Sequence, residues 1–116
     1  NASPKLRPNN KRILIVDDQS FNIDAIIIIL KHGVKLKNAD ICDKALNGLE
    51  ALTMVIANVE RNQYQCCDYD LILMDCNMPF MDGYEACHKI RQFLWEQKIQ
   101  QPVISAVTGH TEEAYV

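Results

Sequence analysis

Two short apolar runs, each ending in an acid, constrain this chain more than any other feature. In the stretch from Asp70 to Gly83, the apolar residues Leu71 to Met74 lead straight into Asp75, and Asn77, Met78-Pro79 and a turn at Asp82-Gly83 follow. An apolar run of this length, bounded by polar and turn residues, reads as a strand buried on both faces. An acid at its C-terminal end sits where open α/β sheets bind ligands. Ile13 to Val16 repeats the pattern after Lys11-Arg12 and ends abruptly in Asp17-Asp18. Continuous β-branched runs of this kind belong to parallel sheets covered on both sides.

The segments between and after these runs supply helices. Ser20 is suited to an N-cap and Gly33 to the residue just past a helix end. The isoleucines between them are locally strand-like, but the cap, the stop and the length favour a helix covering the sheet. Ala39 to Ala45 reads as a short second strand. Asn47-Gly48 opens a helix with Leu49, Leu52, Ile56 and Val59 on one expected apolar face. Arg61 to Asp68 reads as a polar loop. After Gly83 a third helix is expected to end near Gln97, with Tyr84, Cys87, Ile90 and Leu94 as its apolar stripe and Trp95 in the core or partly covered. Pro102 precedes a fourth strand, Val103 to Val107, which delivers Thr108; Thr111-Glu112-Glu113 looks like a further helix start. The order β-α-β-α-β-α-β implies an α/β fold, a doubly wound parallel sheet with helices on both faces and right-handed crossovers.

Composition narrows the function. At 116 residues the chain has room for one core, and 48% hydrophobic against 23% charged residues argues for a globular domain over a disordered one. A formal charge of −3 offers no basic surface for direct nucleic-acid binding. The longest apolar run, Ala25 to Leu30, falls far short of the ~20 residues of a membrane span, so no membrane contact is expected. Residues 1–10 are polar with two prolines and read as a flexible linker, with the domain occupying 11–116 of what reads as a longer protein. The five cysteines, Cys42, Cys66, Cys67, Cys76 and Cys87, form no C-x-x-C pair and read as incidental cytoplasmic thiols. His32, His88 and His110 share no ligand spacing.

Three strand ends therefore carry polar groups: Asp17-Asp18, Asp75 and Thr108. If the first and third strands are neighbours, their acids converge. Three carboxylates in one cleft repel unless a cation neutralises them. Magnesium suits such a site, since it takes oxygen ligands and often works beside a phosphate. Asn77 can add a backbone carbonyl oxygen. The chemistry that follows is phosphoryl transfer, with Asp75 attacking in line and Thr108 donating to a phosphoryl oxygen. The product, an acyl phosphate on Asp75, adds roughly −1 to −2 of charge beside the helix-start loops.

These residues carry a family resemblance. Ile-Leu-Ile-Val-Asp17-Asp18 with Asn22, Ala45-x-Asn47-Gly48-x-Glu50-Ala51-Leu52, Asp75-x-x-Met78-Pro79-x-Met81-Asp82-Gly83 and Ala106-x-Thr108-Gly109 occur in one register. The chain resembles the receiver domain of two-component response regulators and phosphorelays, and Phe21-Asn22 after the acid pair is similar to receivers of hybrid histidine kinases. The resemblance implies a flavodoxin-like sheet of order 2-1-3-4-5. It implies Asp75 as phosphoacceptor, Thr108 as switch hydroxyl, and Mg²⁺ held by Asp17, Asp18, Asp75 and the carbonyl of Asn77. It further implies a phosphohistidine donor on a histidine kinase or histidine phosphotransfer domain, and a cytoplasmic signalling module that catalyses only its own phosphorylation and dephosphorylation. The family's Lys, fifth strand and last helix would lie beyond Val116. The chain thus reads as a receiver incomplete at its C-terminus, with order 2-1-3-4 and the open edge of its fourth strand available for pairing with a second copy.

Two other readings stand beside this one. An aspartyl-phosphate phosphatase of the haloacid-dehalogenase type needs a second acid two residues after the nucleophile, where this chain has Asn77. A receiver-like interaction module that is never phosphorylated would not need the intact acids. Acids at strand ends are often solvated loop residues, Asp82-Gly83 is ordinary turn chemistry, and Met78-Pro79 and Met81 suit loop shaping and packing.

Overall fold

The structure, a computed structural model, describes residues 11–33, 41–75 and 82–107. The expected linker, the start of the second strand before Ile41, the loop holding Cys76 to Met81, and Thr108 with the helix start after it lie outside the described residues. Four strands and three helices alternate: β1 (Arg12–Val16), α1 (Ser20–Gly33), β2 (Cys42–Ala45), α2 (Gly48–Arg61), β3 (Tyr69–Asp75), α3 (Gly83–Glu96) and β4 (Val103–Val107). All pairings are parallel and the strand order is β2-β1-β3-β4, as expected. None of the described helices is long and apolar enough to cross a membrane.

Strand periodicity divides the core in two. Successive side chains point to opposite faces of a strand. Leu14, Val16, Ile72 and Met74 face one way and pack with Ala51, Val55 and Val59 of α2 and Ala86, Ile90 and Leu94 of α3. Ile13 and Ile15 face the other way and pack with Ile23 of α1, flanked by the half-buried Ile26, Ile27, Leu30, Leu71 and Leu73. The isoleucine-rich segment is therefore a helix over the sheet. Its local strand preference yields to the burial that one helical face gains against β1 and β3.

Local chemistry sets the helix ends. Asn47 caps α2, its side chain accepting from Glu50 N–H at 2.7 Å, while the Glu50 carboxylate accepts from Leu46 N–H at 2.6 Å. This reciprocal arrangement satisfies two backbone donors at once. Asp82 caps α3 by accepting from Glu85 N–H at 2.9 Å. Gln97 is the C-cap of α3, where the end was expected.

Several expectations need correction. Ser20 is the first helical residue of α1, because the Gln19 carbonyl already accepts from Asn22 and Ile23 N–H groups. Gly33 closes that helix from within, without a left-handed backbone. Strand β2 starts at Cys42, so Ile41 precedes it. The buried face of α2 runs through Gly48, Ala51, Val55, Asn58 and Val59, while Leu49 is 55% exposed. That of α3 runs through Gly83, Ala86, Ile90 and Leu94; Tyr84 is 63% and Trp95 77% exposed. Small side chains at Ala51 and Ala86 let both helices approach the sheet, while Leu49, Tyr84 and Trp95 are turned outward.

The supposed polar loop after α2 contains a buried hydrogen-bonded knot. Asn58 Oδ1 accepts from Asp68 N–H at 2.7 Å, Asn58 Nδ2 donates to Asp68 Oδ2 at 3.1 Å, and Asn62 Nδ2 donates to Asn58 Oδ1 at 3.2 Å. A second polar cluster ties the N-terminal ends of three strands. Arg12 donates through Nε and a terminal nitrogen to both Asp43 oxygens, at 3.1 and 2.7 Å, and the Tyr69 hydroxyl donates to Asp43 at 2.7 Å. Burial pushes the Asp43 carboxyl up, but the bonds from Arg12 and Tyr69 outweigh it and leave its pKa below the ordinary value. Burial, then the bond to Asp43, pushes the Tyr69 phenol well up.

Two measurements test this frame. Asn58→Ala removes the knot's centre and should destabilise the fold by about 1–3 kcal/mol in urea unfolding. A carboxylate with a depressed folded pKa stabilises the fold above its unfolded pKa and loses that contribution as pH falls through the folded one. Asp43→Asn should therefore lower stability at neutral pH and reduce the loss of stability seen in acid below the ordinary carboxylate value of 3.8. Unfolding midpoints recorded from neutral pH down through that range check it.

Candidate functional site

The register of β1 and β3 builds the site. Val16 pairs with Met74, so the next residues, Asp17 and Asp75, come side by side at the sheet's C-terminal edge. Both continue the odd-numbered rows that face α1, Ile13-Ile15 and Leu71-Leu73. Asp18 follows Asp17 out of the strand. One carboxylate oxygen from each of Asp17, Asp18 and Asp75 lies within 4.8 Å of the others. Asp17 and Asp75 are buried, at 6% and 9% exposed, and Asp18 is half-buried. The convergence inferred from the strand ends is thus present.

The cluster is held from several sides. Asp17 N–H donates to the Ala45 carbonyl at 3.1 Å, which fixes its main chain to the end of β2. Its Oδ1 accepts from Gln19 N–H at 2.9 Å. Asn22 Nδ2 lies 3.4 Å from each Asp17 oxygen. Asp75 pairs with Val107 in β4, so the backbone that precedes Thr108 runs beside the acid. The side chains of Thr108 and Asn77 fall outside the described residues.

Sequence reasoning quoted Asn22 only as part of a family pattern and missed its contact with Asp17. The available signal was an amide in the first turn of the helix that follows the acid pair. Cys67 is buried, and that burial pushes its thiol up to about 11.

An oxygen-only donor set with three acids in close reach fits a hard divalent cation. Charges this close repel one another, so a cation has much to neutralise.

A doubly wound parallel sheet with an acid cluster at the C-terminal ends of its first and third strands defines a class of signalling domain. The chain belongs to the response regulator receiver domain family, whose sequence model matches residues 13–116. It is 36% identical over 111 residues to the histidine kinase CKI1 of Arabidopsis thaliana, covering 90% of this chain and 9% of that protein. It is 35% identical over 98 residues to the signal transduction histidine-protein kinase BarA of Escherichia coli, covering 84% of this chain and 9% of that kinase. The chain therefore spans about a tenth of the length of these relatives. The crystal structure of the CKI1 receiver domain complexed with Mg²⁺ superposes with a TM-score of 0.75 at 29% identity, covering 92% of this chain and 73% of that one. The matching CKI1 structures are of that kinase's receiver domain, and the flavodoxin-like fold follows from the same likeness.

Repulsion within the cluster is measurable directly. In metal-free buffer Asp75→Asn should raise the stability of the fold by about 1–2 kcal/mol, because it removes one charge from beside two others. Thermal unfolding in the presence of a chelator checks this, and adding Mg²⁺ should narrow the gap.

Proposed function

We propose that this domain takes a phosphoryl group from a phosphohistidine onto Asp75 and converts it into a change of conformation within a phosphorelay. The donor is a histidine kinase or a histidine phosphotransfer domain, and the domain works in the cytoplasm. The observation that carries the reading is the approach of the Asp17, Asp18 and Asp75 carboxylates to within 4.8 Å at the sheet's C-terminal edge.

In the transfer a carboxylate oxygen of Asp75 attacks phosphorus. An O–P bond forms, the donor's N–P bond breaks with its electron pair, and the imidazole leaves with a proton taken from solvent. Asp17 and Asp18 would hold Mg²⁺, with Asp75 and the carbonyl of Asn77 completing the protein's share. When bound, the ion supplies neutralisation of the charge on the phosphoryl oxygens. Thr108, next after the residue paired with Asp75, is assigned the switch hydroxyl that donates to the phosphoryl group. Asp75 is buried beside two other acids, so its attack is aimed by the strand and does not depend on a mobile side chain. Turnover is limited to the domain's own acyl phosphate. Its hydrolysis returns Asp75 to the carboxylate.

The test is incubation of the chain with Mg²⁺ and a small phosphodonor such as acetyl phosphate. The expected product is one acid-stable, base-labile phosphate per chain, lost in Asp75→Asn and on chelation of the metal. Absence of that phosphate in a chain extended through the rest of the receiver would overturn the reading. Steady release of many phosphates per chain from varied monoesters would replace it with the phosphatase.

A further inference from the structure

Helix α1 reaches back to the acid cluster through one side chain. Asn22 lies in the first turn of α1, its own N–H bonded to the Gln19 carbonyl at 3.0 Å. The next residue, Ile23, is fully buried against Ile13 and Ile15 and anchors that turn on the sheet. The base of the Asn22 side chain is thus fixed by the helix, and its amide reaches the Asp17 carboxylate. There Nδ2 stands 3.4 Å from Oδ1 and 3.4 Å from Oδ2.

Equal distances to both oxygens say what this contact does. A donor aimed at one oxygen fixes a bond; a donor astride both restrains rotation of the carboxylate about its last torsion, which is broad in an unrestrained Asp. Gln19 N–H holds Oδ1 at 2.9 Å, and the main chain of Asp17 is fixed to Ala45. The amide supplies the remaining constraint. Its bonds are long and neutral, so they leave the carboxylate its charge and most of its acceptor capacity. A Lys in the same place would neutralise the cluster and compete with a cation. An Asp would add a fourth negative charge.

We propose that Asn22 is a positioning residue that sets the plane of the Asp17 carboxylate so that one oxygen is presented toward Asp18 and Asp75. It touches neither the ion nor phosphorus and acts through Asp17. The inference rests on the reading that Asp17 is a Mg²⁺ ligand. Outer partners of metal ligands act in this way by lowering the cost of arranging the ligand when the ion arrives.

Calorimetric titration of MgCl₂ into the whole chain tests it, with metal-free thermal unfolding as the companion measurement. Asn22→Leu keeps much of the volume and removes the donor; it should weaken Mg²⁺ binding about tenfold. Asn22→Gln keeps an amide and should bind more tightly than Asn22→Leu. If Asn22→Leu does not fold, Asn22→Ala takes its place. A folded donor-free variant that binds Mg²⁺ as well as the wild type overturns the inference, as does an Asn22→Gln chain no better than Asn22→Leu. A wild-type chain that binds no Mg²⁺ overturns the metal reading itself, and this inference with it.

Discussion

The pairing of β1 with β3 is the constraint on which the rest depends. Val16 opposite Met74 makes Asp17 and Asp75 neighbours, and no other element has to move to bring them together. A slip of one residue would exchange the faces of the strand and send Asp17 to the side of α2 and α3. The opposite ends of the strands carry the chemistry that guards against this slip. Arg12, Asp43 and Tyr69 join β1, β2 and β3 in one charged cluster, and Arg12 N–H donates to the Asp68 carbonyl at 2.7 Å. The site at one end of the sheet is therefore aligned by bonds at the other.

Packing turns that alignment into rigidity. The larger core joins β1 and β3 to α2 and α3 through side chains that are almost wholly buried. Interiors of this kind are close-packed and have low compressibility, so strain passes through them from element to element. The acids therefore sit on a firm edge, placed by the strands that end there. This is the usual division of labour in doubly wound sheets, where strands place the reacting groups and loops respond to them.

What was legible in the sequence follows from length scale. Strands β1 and β3 and the acids at their ends were readable because a buried parallel strand is a continuous apolar run and its end is marked by the first charge. The helix faces were harder. Leu49, Tyr84 and Trp95 drew attention by size yet are exposed, while Ala51 and Ala86, which carry little signal in a hydrophobic pattern, sit in the core beside Val55, Val59, Ile90 and Leu94. Asn58 is polar and still fully buried, since its partner Asp68 comes from beyond the helix. The Arg12–Asp43–Tyr69 cluster was invisible for the same reason: its members are 26 and 31 residues apart along the chain and ordinary one by one. Asn22 was visible as a letter in a pattern, but its task depends on a helix start that places it beside the preceding acid.

The position of Asp17 has one more consequence. Its carboxylate is both a wall of the acid cluster and the acceptor for the backbone N–H at the threshold of α1, with Gln19 N–H at 2.9 Å. A negative charge there favours the helix start, because the first turn exposes unpaired N–H groups. Whatever draws electron density from Asp17 therefore loosens its hold on Gln19. The amide hydrogen of that residue is a built-in gauge of the site's charge: its resonance would shift with occupancy, though the atom lies in the main chain just before the helix and takes no part in the chemistry.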